Sequence, residues 1–151
     1  MVEVEKPADM KAYVGKPLGS SGWVAIDQAM IDKFADATGD HQWIHVDVER
    51  AKREMPGGRT IAHGFLTLSL IAGLAHQIWT VRKRSRGINY GSNRVRFTAP
   101  VPVGSRVRLT QTLKQAEDIE GGVRLTFEST MEIEGSPRPA LVAETLSLAY
   151  D

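Results

Sequence analysis

The feature that most constrains this chain is a change of hydrophobic period between its two halves. From Gly64 to about Trp79, the residues Phe65, Leu66, Leu68, Leu70, Ile71, Leu74, Ala75 and Ile78 cover most of a helix's circumference rather than one stripe. Such a helix should be wrapped on most of its sides. From about Gly87 the period becomes two. In VRLTFESTMEI, the residues Val123, Leu125, Phe127, Ser129, Met131 and Ile133 share one face, while Arg124, Thr126, Glu128, Thr130 and Glu132 share the other. SRVRLTQTLK alternates similarly through Val107, Leu109 and Leu113, and Asn93 to Thr98 and Leu141 to Tyr150 are further strand candidates. Strands joined by turns as short as PVPVGS, EDIEGG and EGSPRP make an antiparallel meander. The expected class is therefore α+β, an antiparallel sheet curled around one long central helix.

The rest of the first half reads as shorter helices. Gly22 to Ile26 fits a short strand, after which Asp27 is a candidate N-cap for a helix carrying Met30, Ile31, Phe34 and Ala35 and stopped by Gly39. Asp47 is a second candidate cap, for a helix through Glu54 that MPGG ends. The 151 residues are the length of one domain, expected over 1–151. Without cysteine there is no disulfide framework, thiol nucleophile or Cys-ligated metal, which suits a cytoplasmic location. A net charge of +1 gives no field calling for nucleic acid or an anionic membrane, and no interleaving of aromatic and basic residues marks a nucleic-acid surface. Thr67, Ser69, His76 and Gln77 interrupt the greasiest stretch, leaving it short of the ~20 apolar residues of a membrane span.

Chemistry concentrates in TGDHQWIH, Thr38 to His45, just after a helix stop. Asp40 and His45 flank Trp43 and Ile44, so a loop or distorted turn can aim both at one point beside apolar walls and hold a water there. The alternative is structural: Asp40 caps the next segment and His45 is a satisfied core histidine. His41 and His45 also have an H-x3-H spacing, but no third ligand is indicated and no metal is expected. In IAHGF, Gly64 stands where a helix should begin, so its N–H can receive a ligand oxygen. Equally, the glycine can simply allow close packing, with His63 as a cap. Arg82, Lys83, Arg84, Arg86, Arg94 and Arg96 can hold phosphates or form a solvated face. No Gly-rich nucleotide loop is present, which removes support for NTP or NAD(P) chemistry.

FADATGDHQWIHVDVERA, Phe34 to Ala51, resembles the signature of the MaoC-like (R)-specific enoyl-CoA hydratases. Gly39, Asp40, Ile44, His45 and Ala51 match it in order. TIAHGFLTLSL and NYGSNRVRFTAPVPVGSRV resemble the same family, so the likeness extends over most of the chain. Gln42 and Trp43 replace the usual Asn and Pro, a form similar to the nodulation protein N-like branch. The resemblance implies a hot-dog fold and reversible, (R)-specific hydration of trans-2-enoyl-CoA to 3-hydroxyacyl-CoA. It implies Asp40 and His45 as the catalytic pair around a water and Gly64 as the oxyanion hole, with Gln42, His63, Tyr90 and Arg94 as substrate-binding candidates. It further implies an acyl-CoA or acyl carrier protein thioester as substrate, no metal or redox cofactor, and a homodimer or larger homo-oligomer. The rival readings are a hot-dog acyl-CoA thioesterase and a non-catalytic acyl-CoA binding protein.

Overall fold

The computed structural model describes residues 1–151. Strands β2 (Pro17–Ser20), β5 (Arg86–Phe97), β6 (Arg106–Ile119), β7 (Gly122–Ile133) and β8 (Leu141–Tyr150) form one antiparallel sheet in the order β2-β6-β7-β8-β5, with β3 (Val24–Ala25) also on β6. β6, β7 and β8 are the expected meander. Their alternation holds in detail: Val123, Leu125, Phe127, Ser129, Met131 and Ile133 are all buried on one face. Positive-φ Gly104, Gly121 and Gly135 sit in the three turns named from sequence. β1 (Val2–Val4) pairs in parallel with β4 (Trp79–Val81), a small second sheet that the period did not announce.

Four helices stand on the concave side or at its rim. α1 (Gln28–Thr38) starts where expected, the Asp27 carboxylate accepting from the Met30 N–H, and it ends at Gly39 with φ 78°. α3 (Val48–Glu54) is likewise capped by Asp47, which accepts from Arg50 N–H. Between them the expected loop contains one helical turn, α2 (Trp43–Val46).

The central helix α4 (Gly64–Ala75) is shorter than the apolar stretch. His76 closes it, and Ile78 and Trp79 leave helical geometry so that Trp79 can enter β4. Nor is α4 wrapped on most sides. Leu66, Thr67, Ile71, Leu74 and Ala75 are buried, but Ser69 and Gly73 are exposed and Phe65 keeps 65% of its surface in water. One concave sheet covers only one side of a rod. Leu74→Ala should therefore cost about 2–5 kcal/mol, and half-buried Leu70→Ala distinctly less, in paired chemical denaturation curves.

Candidate active site

The start of α4, the loop before it and α2 meet at one point. The His45 ring is buried, at 7% exposure, and its Nδ1–H donates to the Ile61 carbonyl at 2.7 Å. A carbonyl only accepts, so the proton sits on Nδ1 and the lone pair on Nε2. His63, 3% exposed, donates from Nε2 to the Asp40 carbonyl at 2.9 Å and stacks on His45 with ring centroids 3.9 Å apart. Phe34 of α1 packs against His63, with ring centroids 4.9 Å apart. One ligand atom from each of Asp40, His45 and His63 lies within 4.8 Å of the other two. The expected convergence of Asp40 with His45 is present, and His63 is a third member.

The local sequence explains why the cluster holds its shape. Gly39 turns the chain through a left-handed residue, after which the Gln42 N–H donates to Asp40 Oδ1 at 3.3 Å and α2 lifts His45 inward. Gln28, the first residue of α1, is the fastener that sequence reasoning missed. Its Nε2 donates to the His45 carbonyl at 2.8 Å and its Oε1 accepts from buried Thr60 Oγ1 at 2.6 Å. No period or motif flags a glutamine just inside an N-cap. His63 does not cap α4 through its side chain; its ring is spent on Asp40 and His45, and its Nδ1 has no partner.

Burial, then the Coulomb influence of His63, pull the His45 pKa below 6.5, while the Ile61 bond and the Asp40 charge oppose them. At neutral pH His45 is a neutral imidazole with a free lone pair, the form required of a base. The cluster is less suited to a metal ion. Each imidazole offers its lone pair in its own ring plane, and stacked rings with planes only 24° apart do not converge on one ion without rotating. His41 points elsewhere, Nε2 lying 3.8 Å from Asp36 Oδ1.

Gly64 begins α4, and no acceptor within the chain takes its N–H. A cavity of about 260 Å³ lies beside it, lined by Ile61, Gly64, Thr67, Phe97, Thr98 and Val101. Close packing also constrains this glycine, since a Cβ here would stand 2.9 Å from the Phe97 ring. Gly64 thus has both a free N–H and a packing constraint that excludes a side chain. A second, separate cavity of about 490 Å³ lies further along α4, beside Leu68, Ala72 and Ala75, between the helix and strands β5 and β8.

The other candidates lie further out. The Gln42 side chain is exposed and makes no hydrogen bond, and Tyr90 and Arg94 stand on exposed β5, lining neither cavity. Of the basic run, Arg82 and Lys83 are paired with Glu3 and Glu5, and Arg86 lies over the Tyr150 ring at 4.1 Å. Arg86 and Arg84, the latter at the edge of the larger cavity, and Arg94 and Arg96 on β5 have no acidic partner.

Residues 9–132 match the family model described as MaoC like domain. The chain belongs to this family. It is 55% identical to 3-hydroxyacyl-thioester dehydratase Z of Mycobacterium tuberculosis, over 94% of both chains. It is 48% identical to nodulation protein N of Rhizobium leguminosarum bv. viciae, over 93% of this chain and 89% of that one. Among solved structures it superposes on the (R)-hydratase from A. caviae involved in PHA biosynthesis with a TM-score of 0.72 at 23% identity, covering 89% and 94% of the two chains. A monoamine oxidase regulatory protein from Archaeoglobus gives 0.79, also at 23%, covering 99% and 96%. The fold is the hot-dog fold.

The tautomer and the depressed pKa make a direct expectation. In imidazole NMR titrations His45 should protonate with a midpoint below 6.5, and Asp40→Asn should move it lower still, because the carboxylate is one of the influences holding it up. A midpoint unmoved by Asp40→Asn would show that the carboxylate does not face this ring.

Proposed function

We infer that this MaoC-family chain is a 3-hydroxyacyl-thioester dehydratase, a hydro-lyase of fatty acid metabolism that runs reversibly as an (R)-specific enoyl-thioester hydratase. The observation that carries the reading is the meeting of Asp40 with a neutral, tautomer-fixed His45 beside the unclaimed N–H of Gly64. The identity to a dehydratase over nearly the whole chain supports it.

The residues divide the reaction as follows. In hydration, a water between Asp40 and His45 loses a proton to His45 Nε2 as its oxygen bonds to C3 of the enoyl thioester. The displaced electron pair moves to the thioester oxygen, where the Gly64 N–H stabilises it. Removing one such donor typically costs ~3–4 kcal/mol of transition-state stabilisation. The imidazolium then passes a proton to Asp40, which delivers it to C2, and both groups return to their starting states. Dehydration is the reverse. His63 holds Asp40 by its backbone and His45 by stacking, a positioning role. Neither metal nor redox group takes part in these steps.

The acyl chain runs from Gly64 along α4 into the larger cavity, and the coenzyme A or carrier-protein handle lies outside, where Tyr90, Arg94 and Gln42 are accessible. We further propose a homodimer in which two copies of β5 pair. β5 is a twelve-residue edge strand, exposed along nearly its whole length, with Ile88, Tyr90 and Phe97 in water and Phe65 of α4 close to Phe97. An edge of that length and character is one a monomer would have to protect. Residues 1–151 act as one catalytic domain, and a cytoplasmic setting suits a cysteine-free chain in which no helix is long and apolar enough to cross a membrane.

Crotonyl-CoA tests the reading. Its enoyl absorbance should fall without release of free thiol, whereas a thioesterase would release thiol. Asp40→Asn and His45→Gln should each lose at least about 100-fold in kcat while remaining folded. Full hydratase rate in either variant would refute the assigned roles. Light scattering should return twice the 16.6 kDa chain mass; a monomer would remove the β5 pairing.

A further inference from the structure

The floor of the larger cavity is polar where the sheet's alternation calls for apolar residues. Gln111 of β6 faces Ser129 of β7 across the strands, both on the inward, otherwise hydrophobic face. Trp79 Nε1–H donates to Gln111 Oε1 at 3.1 Å, Gln111 Nε2 donates to Ser129 Oγ at 2.9 Å, and Ser129 and Thr145 hydroxyls share a bond at 3.0 Å. Gln111 is 2% exposed and Ser129 is fully buried. Gln111, Thr145 and Trp79 all line the cavity, beside Phe127, Ile71 and Ala75.

The hydrogens do not balance within this set. Gln111 brings two N–H groups and uses one, and one of the two hydroxyl protons is consumed in the bond between Ser129 and Thr145. One amide N–H of buried Gln111 is left over, and one hydroxyl proton of the pair formed by buried Ser129 and half-buried Thr145. Orphaned donors in a protein interior are rarer and more costly than under-used lone pairs. The missing partner is therefore an acceptor. It must come from whatever fills the cavity, because no further chain oxygen reaches these donors.

Resting on the hydratase reading above, we propose that this cavity selects an acyl chain carrying an oxygen acceptor near its far end, recognised by Gln111 and Thr145. Gly64 and Ala72 are separated by about 12 Å along the axis of α4, at ~1.5 Å per residue. That distance suits a medium-length chain with its reacting end at Gly64 and its oxygen at the quartet. The Leu68, Ile71 and Ala72 side chains contact the hydrocarbon between the two ends. A plain alkyl end would leave the donors unpaired, so the site discriminates by what it fails to satisfy.

The experiment compares kcat/KM for trans-2-decenoyl-CoA and 9-oxo-trans-2-decenoyl-CoA on the full chain. The oxo substrate should be preferred by about tenfold, and Thr145→Val and Gln111→Met should bring the ratio toward one. Each ratio compares two substrates on the same protein, so partial loss of folded enzyme cancels. If neither variant can be purified, the wild-type ratio decides alone. A wild-type ratio of one or less overturns the proposal and would mean that water satisfies the donors; a preference that survives both substitutions overturns it as well. Crotonyl-CoA, too short to reach the quartet, is the separate control: no hydration by wild type of it or of either decenoyl substrate would sink the hydratase reading itself.

Discussion

A helix as apolar as α4 has to find cover, and the concave face of the β6-β7-β8 meander is the surface that provides it. Leu66, Ile71, Leu74 and Ala75 are buried there, at a gain of roughly 1.5–3 kcal/mol for each large side chain. Fixing the helix also fixes where it begins. The preceding segment is pinned by the Ala62 N–H to the Val101 carbonyl at 2.8 Å and by the bridge between Ile61 and Pro102. That pinned segment supplies the Ile61 carbonyl that sets the His45 tautomer, the His63 ring under His45, and the N–H of Gly64. The chemistry is located by packing several residues away from it.

The second half of the site arrives on a segment that is stiffened from both sides. Asp40 and His45 are carried by the stretch between α1 and α3, two helices capped by Asp27 and Asp47. Gln28 ties the His45 carbonyl to α1, and through Thr60 to the segment leading into α4. One glutamine thus connects the element bearing the proposed base, His45, to the element bearing the proposed oxyanion donor, Gly64. A positional error at either would otherwise weaken both proton transfer and charge stabilisation, which depend steeply on geometry.

Much of this was legible in the residues. Asp27, Gly39 and Asp47 marked helix ends because capping is a local interaction, and the period of two in VRLTFESTMEI announced its buried face. The signature around Asp40 and His45 marked two of the three residues that the fold brings together in the candidate site. Illegible were the features set by distant parts of the chain. Ile78 and Trp79 continue the apolar run of α4, yet Trp79 is drawn into a parallel pairing with the N-terminal strand, an attraction that no local pattern encodes. The exposure of Phe65 reflects how far one sheet reaches around a helix, which periodicity does not measure. His63 read equally well as a cap, and its place beneath His45 follows only from the crossing of two segments.

The inward polar residues fall between these cases. Ser129 was visible on the apolar face of its strand, and Gln111 interrupts the run of Val107, Leu109 and Leu113, but each alone is an unremarkable exception. Register makes them opposite partners, and Trp79 and Thr145 complete the group from two further strands. Replacing such a buried polar set with close-packed hydrocarbon is often neutral or stabilising, so stability gives little reason to keep it. Its position on the wall of the larger cavity gives a better one: a local breach of the sheet's pattern where the far end of the proposed substrate would lie. The same logic extends to His45, whose burial disfavours its charged form and so suits the base role proposed for it. At both ends of α4, groups that cost stability stand where the proposed substrate would meet them.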